Sequence, residues 1–135
     1  MSDAKSTSLE TGVINHLFGG VAYAQPIEWW IGIYSTNPTE DIQFTTTRIT
    51  SLHRMTQDGA LPIWTRTQNQ ASNSYDVYFP PVPLSETWVV SHFALFDSNV
   101  DGSRPLYYGS LGTVKTLQSG DVLVIPANNL VIREL

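Results

Sequence analysis

The run Thr87-Trp-Val-Val-Ser-His-Phe-Ala-Leu-Phe-Asp97 constrains this chain more than any other stretch. Val89, Val90, Phe93, Ala94, Leu95 and Phe96 are apolar at both odd and even positions. A strand with one solvated face alternates, whereas a strand covered on both faces need not. The β-branched and aromatic content, with turn formers at each end, favours a strand over a buried helix. The run ends in Asp97-Ser-Asn-Val-Asp-Gly-Ser-Arg-Pro105, and a second apolar run, Leu106-Tyr-Tyr-Gly-Ser-Leu111, follows at once. The pattern predicts a long central hairpin with the other strands laid beside or across it.

Around that hairpin the chain reads as one domain. Residues 1–7 are polar and read as a flexible N-terminal arm, leaving 8–135 as a single β-sandwich domain. Thr7-Ser-Leu-Glu10 matches a capping box, and Leu9, Val13, Ile14, Leu17 and Phe18 share one helical face before Gly19-Gly20. A short amphipathic helix over 8–18 is therefore predicted, with Thr7 as its cap and its apolar stripe buried against the sheets. From Pro26 the pattern turns to strands: Ile27–Tyr34, a Thr-rich edge strand over Ile42–Thr50, and Pro62–Thr67. Leu52–Leu61, with Gln57-Asp-Gly59, reads as a loop, and Gln68–Ser74 as a polar turn. The alternating Tyr75–Phe79 strand stops at Pro80-Pro-Val-Pro83. Thr113–Leu117 and Val122–Ile125 read as a second hairpin across Ser119-Gly120, and Leu130–Arg133 closes the chain. Eight or nine short strands at this spacing predict an all-β fold. It is a two-layer antiparallel β-sandwich, jelly-roll-like, with one short N-terminal amphipathic helix.

Composition narrows the function. At 135 residues the chain is long enough to bury a real core. Seven Lys and Arg against twelve Asp and Glu give a formal charge of -5, so no basic patch exists to neutralise phosphates, and nucleic acid is not an expected partner. Only 14% of residues are charged, which makes the surface largely neutral and polar. No cysteine is present, so disulfides and thiolate metal sites are excluded. No apolar run reaches membrane-spanning length and the N-terminus has no secretory pattern; no membrane partner is expected.

Candidate chemistry is sparse. Asp97, Asn99 and Asp101 match the first half of a calcium loop, but the twelfth position is Tyr108 instead of Glu, and the same residue types favour any hairpin turn. A turn is the primary reading and calcium the secondary one. His16, His53 and His92 lack metal-ligand spacing. Ser91 and His92, as neighbours in a strand, are expected on opposite faces and out of mutual hydrogen-bonding reach. The carboxylates lie mostly in turns, away from any predicted cleft. No catalytic residue, cofactor or reaction is therefore expected. Trp29, Trp30, Trp64 and Trp88 are the candidate interaction residues, as core and interface packing or as a sugar-binding face.

Asn15-His-Leu-Phe-Gly-Gly20, Ile33-Tyr-Ser-Thr-Asn-Pro38, Ala71–Pro80, Ser91–Asp97, Leu106–Leu111 and Lys115–Asp121 occur in that order. Together they resemble a family of small tailed-bacteriophage virion proteins, often labelled tail-fibre proteins. The resemblance spans most of 9–133 and implies a β-sandwich behind an N-terminal helix, located in a virion assembled in the host cytoplasm. It departs from the family pattern at Leu52–Gly59, where a partner-specific difference would reside. The chain has no heptads, collagen-like triplets or β-helical repeats of the kind that build an elongated fibre. The expectation is thus a non-enzymatic head decoration (cement) protein docking on the capsid surface. Its expected partners are itself, as a trimer before a dimer, and other virion proteins, the major capsid protein first. A tail or tail-fibre-associated structural protein is the alternative, and a carbohydrate-binding module contacting the host surface the third reading.

Overall fold

A computed structural model describes residues 2–55 and 63–133. In chain order the elements are β1 (Ser2–Lys5), α1 (Thr7–Phe18), β2 (Trp30–Tyr34), β3 (His53–Arg54), β4 (Trp64–Thr67) and β5 (Gln70–Asn73). They continue with β6 (Val77–Tyr78), β7 (Trp88–Phe96), β8 (Pro105–Leu117), β9 (Val124–Ile125) and β10 (Val131–Arg133). One layer is a five-stranded sheet in the order β1-β8-β7-β2-β3. The other is split into a three-stranded sheet, β10-β5-β4, and a two-stranded ladder, β6-β9. Every pairing is antiparallel. The fold is a two-layer, all-β sandwich with one short N-terminal helix.

The central run is covered on both faces, as its composition predicts. On one face Ile31, Ile33, Phe93 and Leu95 join Val77, Phe79, Leu123, Ile125, Leu130 and Ile132 of the facing layer in the main core. On the other, Tyr34, Ala94 and Phe96 pack with Ile42 and Leu52 in a second core. From Val90 to Phe96 the apolar side chains of β7 are thereby removed from water on both faces, whereas Val89 stays 43% exposed; this burial is the largest favourable contribution to the fold.

Several local expectations are corrected. The segment expected as a flexible arm supplies β1, whose backbone satisfies the edge of β8 with Ala4 opposite Tyr108. The helix cap is Ser6, not Thr7: its hydroxyl accepts from Leu9 N–H at 3.1 Å and donates to Pro105 O at 2.7 Å. Ile42–Thr50 forms turns instead of an edge strand. There Thr46 Oγ1 accepts from Gln43 N–H, and Ile42 plugs the second core. Residues 70–73 of the expected polar turn are a strand, β5, paired with both β4 and β10. The expected hairpin over 113–125 is not made. Its turn exists, closed by Gln118 N–H to Asp121 Oδ2, but 113–117 continue β8 against β7, whereas Val124–Ile125 pair with β6 in the opposite layer. The Gln57-Asp-Gly59 turn and the start of the Pro62 strand lie outside the described residues.

Helix α1 departs most from expectation. Leu9 is buried, but Ile14, Leu17 and Phe18 are 56%, 64% and 81% exposed. The stripe that sequence periodicity assigns to the sheets faces outward instead. Among the described residues no helix is long and apolar enough to cross a membrane.

Candidate functional site

A cavity of about 600 Å³ opens where the β4–β5 hairpin meets the five-stranded sheet. Trp29, directly before β2, and Trp64, at the start of β4, both line it. Their rings meet edge to face with centroids 5.2 Å apart. Leu95, Tyr107 and Ile132 form the apolar floor, and Arg66, Gln68, Gln70 and Gln25 are among the polar lining residues. A cavity of this size, apolar at its base with a few polar groups, has the character of a small-molecule site.

Local structure explains each wall. Thr67 pairs with Gln70, so the β4–β5 hairpin turns on two residues alone. The first of these, Gln68, has φ 51, a left-handed conformation that favours glycine. Its amide therefore sits on a strained turn at the cavity rim. Trp64 carries a second unfavourable feature, an indole Nε1–H that is buried with no acceptor among the described residues. Such an orphan costs on the order of 1–3 kcal/mol.

The wall before β2 is held by Arg104. Its Nη2 donates to Ala24 O at 2.8 Å, its guanidinium lies 4.0 Å from the Tyr23 ring centroid, and its Nε pairs with Asp97 Oδ2. Tyr23 in turn packs on α1, and a Cβ at Gly12 would come within 2.2 Å of that ring. Burial in this stack pushes the Tyr23 phenol above its ordinary pKa. The segment leading to Gln25 is thus fixed between the helix and the loop after β7.

The four tryptophans separate into two pairs of roles. Trp88 is only 4% exposed and packs in the main core, the first of the two uses expected of these tryptophans. Trp30 packs against the second core. Each donates its indole N–H to the carboxylate two residues earlier, Trp30 to Glu28 and Trp88 to Glu86. Trp29 and Trp64 alone of the four line the cavity. Arg66 and the glutamines were invisible as a site in the sequence, because 43 positions' worth of separation has no local signature between Gln25 and Gln68.

Asp97 is occupied structurally. Its Oδ1 accepts from Arg104 N–H at 2.7 Å and from the Ser103 hydroxyl at 3.3 Å, and its Oδ2 pairs with Arg104 Nε. Asp101 accepts from Gly102 N–H. Among the described residues, no group of three or more His, Cys, Asp or Glu is placed to hold a metal ion. The Asp97–Asp101 segment works as a hydrogen-bonded turn.

Ser91 and His92 correct another expectation: Ser91 Oγ lies 2.7 Å from His92 Nδ1. The register of β7 against β8 shifts between Val90 and His92. Trp88 and Val90 before the shift share the main core with Phe93 and Leu95 after it, so the face reverses parity there. The rule that neighbours point apart holds only for a regular strand. Neither residue lines the cavity, whose lining contains no Asp, Glu or His.

A protein-family model described as "Podophage GP4 fiber I protein gp80" matches residues 4–133. A search of curated proteins found no match.

Proposed function

Because the chain belongs to the podophage GP4 fiber I protein gp80 family, and is therefore a structural component of a phage virion, we propose that it is a non-catalytic, fibre-associated subunit of the tail. The observation that carries this reading is the match over residues 4–133, nearly the whole chain, to a family of fibre proteins. That favours the tail over the head-decoration role, for which the lack of elongated repeats was the argument. A compact sandwich of this kind would serve as a docking module on the fibre instead of forming its shaft.

The exposed stripe of α1 supplies a docking face. Ile14, Leu17, Phe18 and, just beyond the helix, Val21 are all more than half exposed. Burying such side chains is worth about 1–2 kcal/mol each after allowing for their partial cover. The occupant is another virion protein, consistent with a chain whose family is defined by its place in the particle. A stripe so poor in charge, with Glu10 in the first turn and His16 in the last, matches an apolar partner surface. The protein acts by contact; among the described residues the cavity lining has no acid or imidazole to perform hydrolysis.

Virions assembled with Leu17→Ser/Phe18→Ser protein test this. Both residues are exposed, so the purified variant should melt as the parent does, while its incorporation into particles falls at least tenfold. Immunogold labelling of parent virions should mark the tail. Labelling spread over the capsid lattice, or normal incorporation of the variant, would sink the proposal. A solution trimer that buries Phe18 would reassign the stripe to self-association.

A further inference from the structure

We propose that the cavity between Gln25 and the β4–β5 hairpin binds a saccharide, with preference for a sugar bearing a carboxylate. This goes beyond the docking role, since the cavity is formed by different residues from the α1 stripe.

Four observations point to this ligand class. Trp29 and Trp64 both line the cavity and both remain partly exposed. Indole rings offer flat apolar surface to the C–H face of a pyranose, along with a polar handle. The polar lining is planar and forked: Gln25, Gln68 and Gln70 carry amides and Arg66 a guanidinium. Such two-atom groups match neighbouring sugar hydroxyls, which donate and accept at similar spacing. Arg66 makes no hydrogen bond or ion pair among the described residues, whereas Arg54 is paired with Glu28 and Arg104 with Asp97. A guanidinium at a cavity with no partner among the described residues, in a chain of net charge -5, is placed for an acidic ligand. Finally, Gln68 holds φ 51 on the two-residue turn, a conformation glycine would adopt without strain. What Gln68 adds there over glycine is its side-chain amide, which lines the cavity.

The lining also says what the site does not do. Among the described residues its lining holds no carboxylate or imidazole, so these residues supply no general acid or base for a glycosidic bond and no anionic ligand set for a cation. It holds a sugar and releases it unchanged.

The test uses the full chain and a panel of methyl glycosides of glucose, galactose, mannose and N-acetylglucosamine with the methyl uronides of the first three. Binding is read by saturation-transfer NMR and by tryptophan fluorescence. At least one uronide should bind, several-fold more tightly than its neutral counterpart, and Arg66→Gln should bring the two to parity. Gln68→Gly separates function from folding: it should raise or leave unchanged the melting temperature while weakening binding several-fold. Absence of saturation transfer across the whole panel would overturn the proposal. So would binding that survives both variants undiminished. Burial of Trp29 and Trp64 under a neighbouring polypeptide in the assembled virion would likewise overturn it, in favour of a protein partner.

Discussion

Asn73 is the residue on which the second layer most visibly depends. It is 1% exposed, and its side chain ties β5 to the β9–β10 connection. Oδ1 accepts from Leu130 N–H at 2.9 Å, and Nδ2 donates to Tyr75 O at 2.9 Å and Pro126 O at 3.0 Å. Asn73→Ala orphans a buried N–H and strips two carbonyls of a donor, a loss of about 3–4 kcal/mol at roughly 1–3 kcal/mol for the donor and less for each carbonyl. For a domain of this size that lowers the melting temperature by roughly 10–15 °C. Asn73→Asp keeps the acceptor for Leu130 but turns a second oxygen on the two carbonyls, so at neutral pH it should be worse than alanine. Burial and those carbonyl dipoles raise the new carboxyl's pKa above its unfolded value of about 3.9. Its stability is then greatest below that value and is lost as pH rises toward the folded pKa, so the Asp variant should partly recover in acid relative to parent. Urea titration with an unchanged m-value, repeated at about pH 4 and pH 7, measures both effects. An Asp variant within 1 kcal/mol of the parent at neutral pH, a margin below the usual cost of one orphaned buried group, would refute this hydrogen-bond assignment.

Two further outcomes follow from the same structure. Ser6→Ala removes the Leu9 cap and leaves Pro105 O without its donor, and should cost about 2 kcal/mol, whereas Thr7→Ala forfeits only an exposed bond to Asp41 and should cost within about 0.5 kcal/mol; the two urea midpoints decide it. His53 has its pKa lowered from 6.5 by burial, so the unfolded chain takes up a proton before the folded one does, and stability present above pH 6.5 is lost as pH falls below it. Melting temperatures between about pH 7.5 and pH 5.5 should therefore decline less steeply for His53→Gln than for the parent, and parallel curves would show the imidazole is not desolvated.

How much of this was legible in the sequence depends on whether the signal was local. The β7–β8 hairpin was, because apolar residues at both parities over Val89–Phe96 leave few alternatives to a strand covered on both faces. Strand β5 was not: Gln70-Ala-Ser-Asn73 has no apolar alternation, and its burial rests on bonds from Asn73 to residues more than fifty positions away. The cap was misassigned because Thr7-Ser-Leu-Glu10 fits the capping box, while Ser6 is selected by a tertiary partner, Pro105 O, that no local motif encodes. The failed second hairpin has the same cause. A Gln-Ser-Gly-Asp turn fixes where the chain reverses but not which layer its next strand joins. For the site, the tryptophans were a visible signal and their sorting was not. The Glu-x-Trp pattern at Glu28–Trp30 and Glu86–Trp88 marks the two indoles satisfied locally, which leaves Trp29 and Trp64 by elimination.

The docking face and the cavity are joined by the segment 19–27, and the construction of that segment bears on how the two would work together. It leaves α1 with Gly19 and Val21 N–H groups both bonded to Asn15 O, and Tyr23 N–H bonded to His16 Nδ1. It reaches the cavity only after the Tyr23 ring has been pinned between Gly12 and Arg104. Arg104 is itself tied to Asp97 at the end of β7, so the helix, the connecting segment and the central strand form one braced unit. A helix docked on a partner through Leu17 and Phe18 therefore carries the cavity wall with it in a fixed orientation. The proposed sugar site need not be ordered by assembly, since its walls are already held by the central sheet. Burial of the stripe places the cavity relative to the particle without rebuilding it, which is the arrangement expected of a compact module that combines attachment at one face with recognition at another.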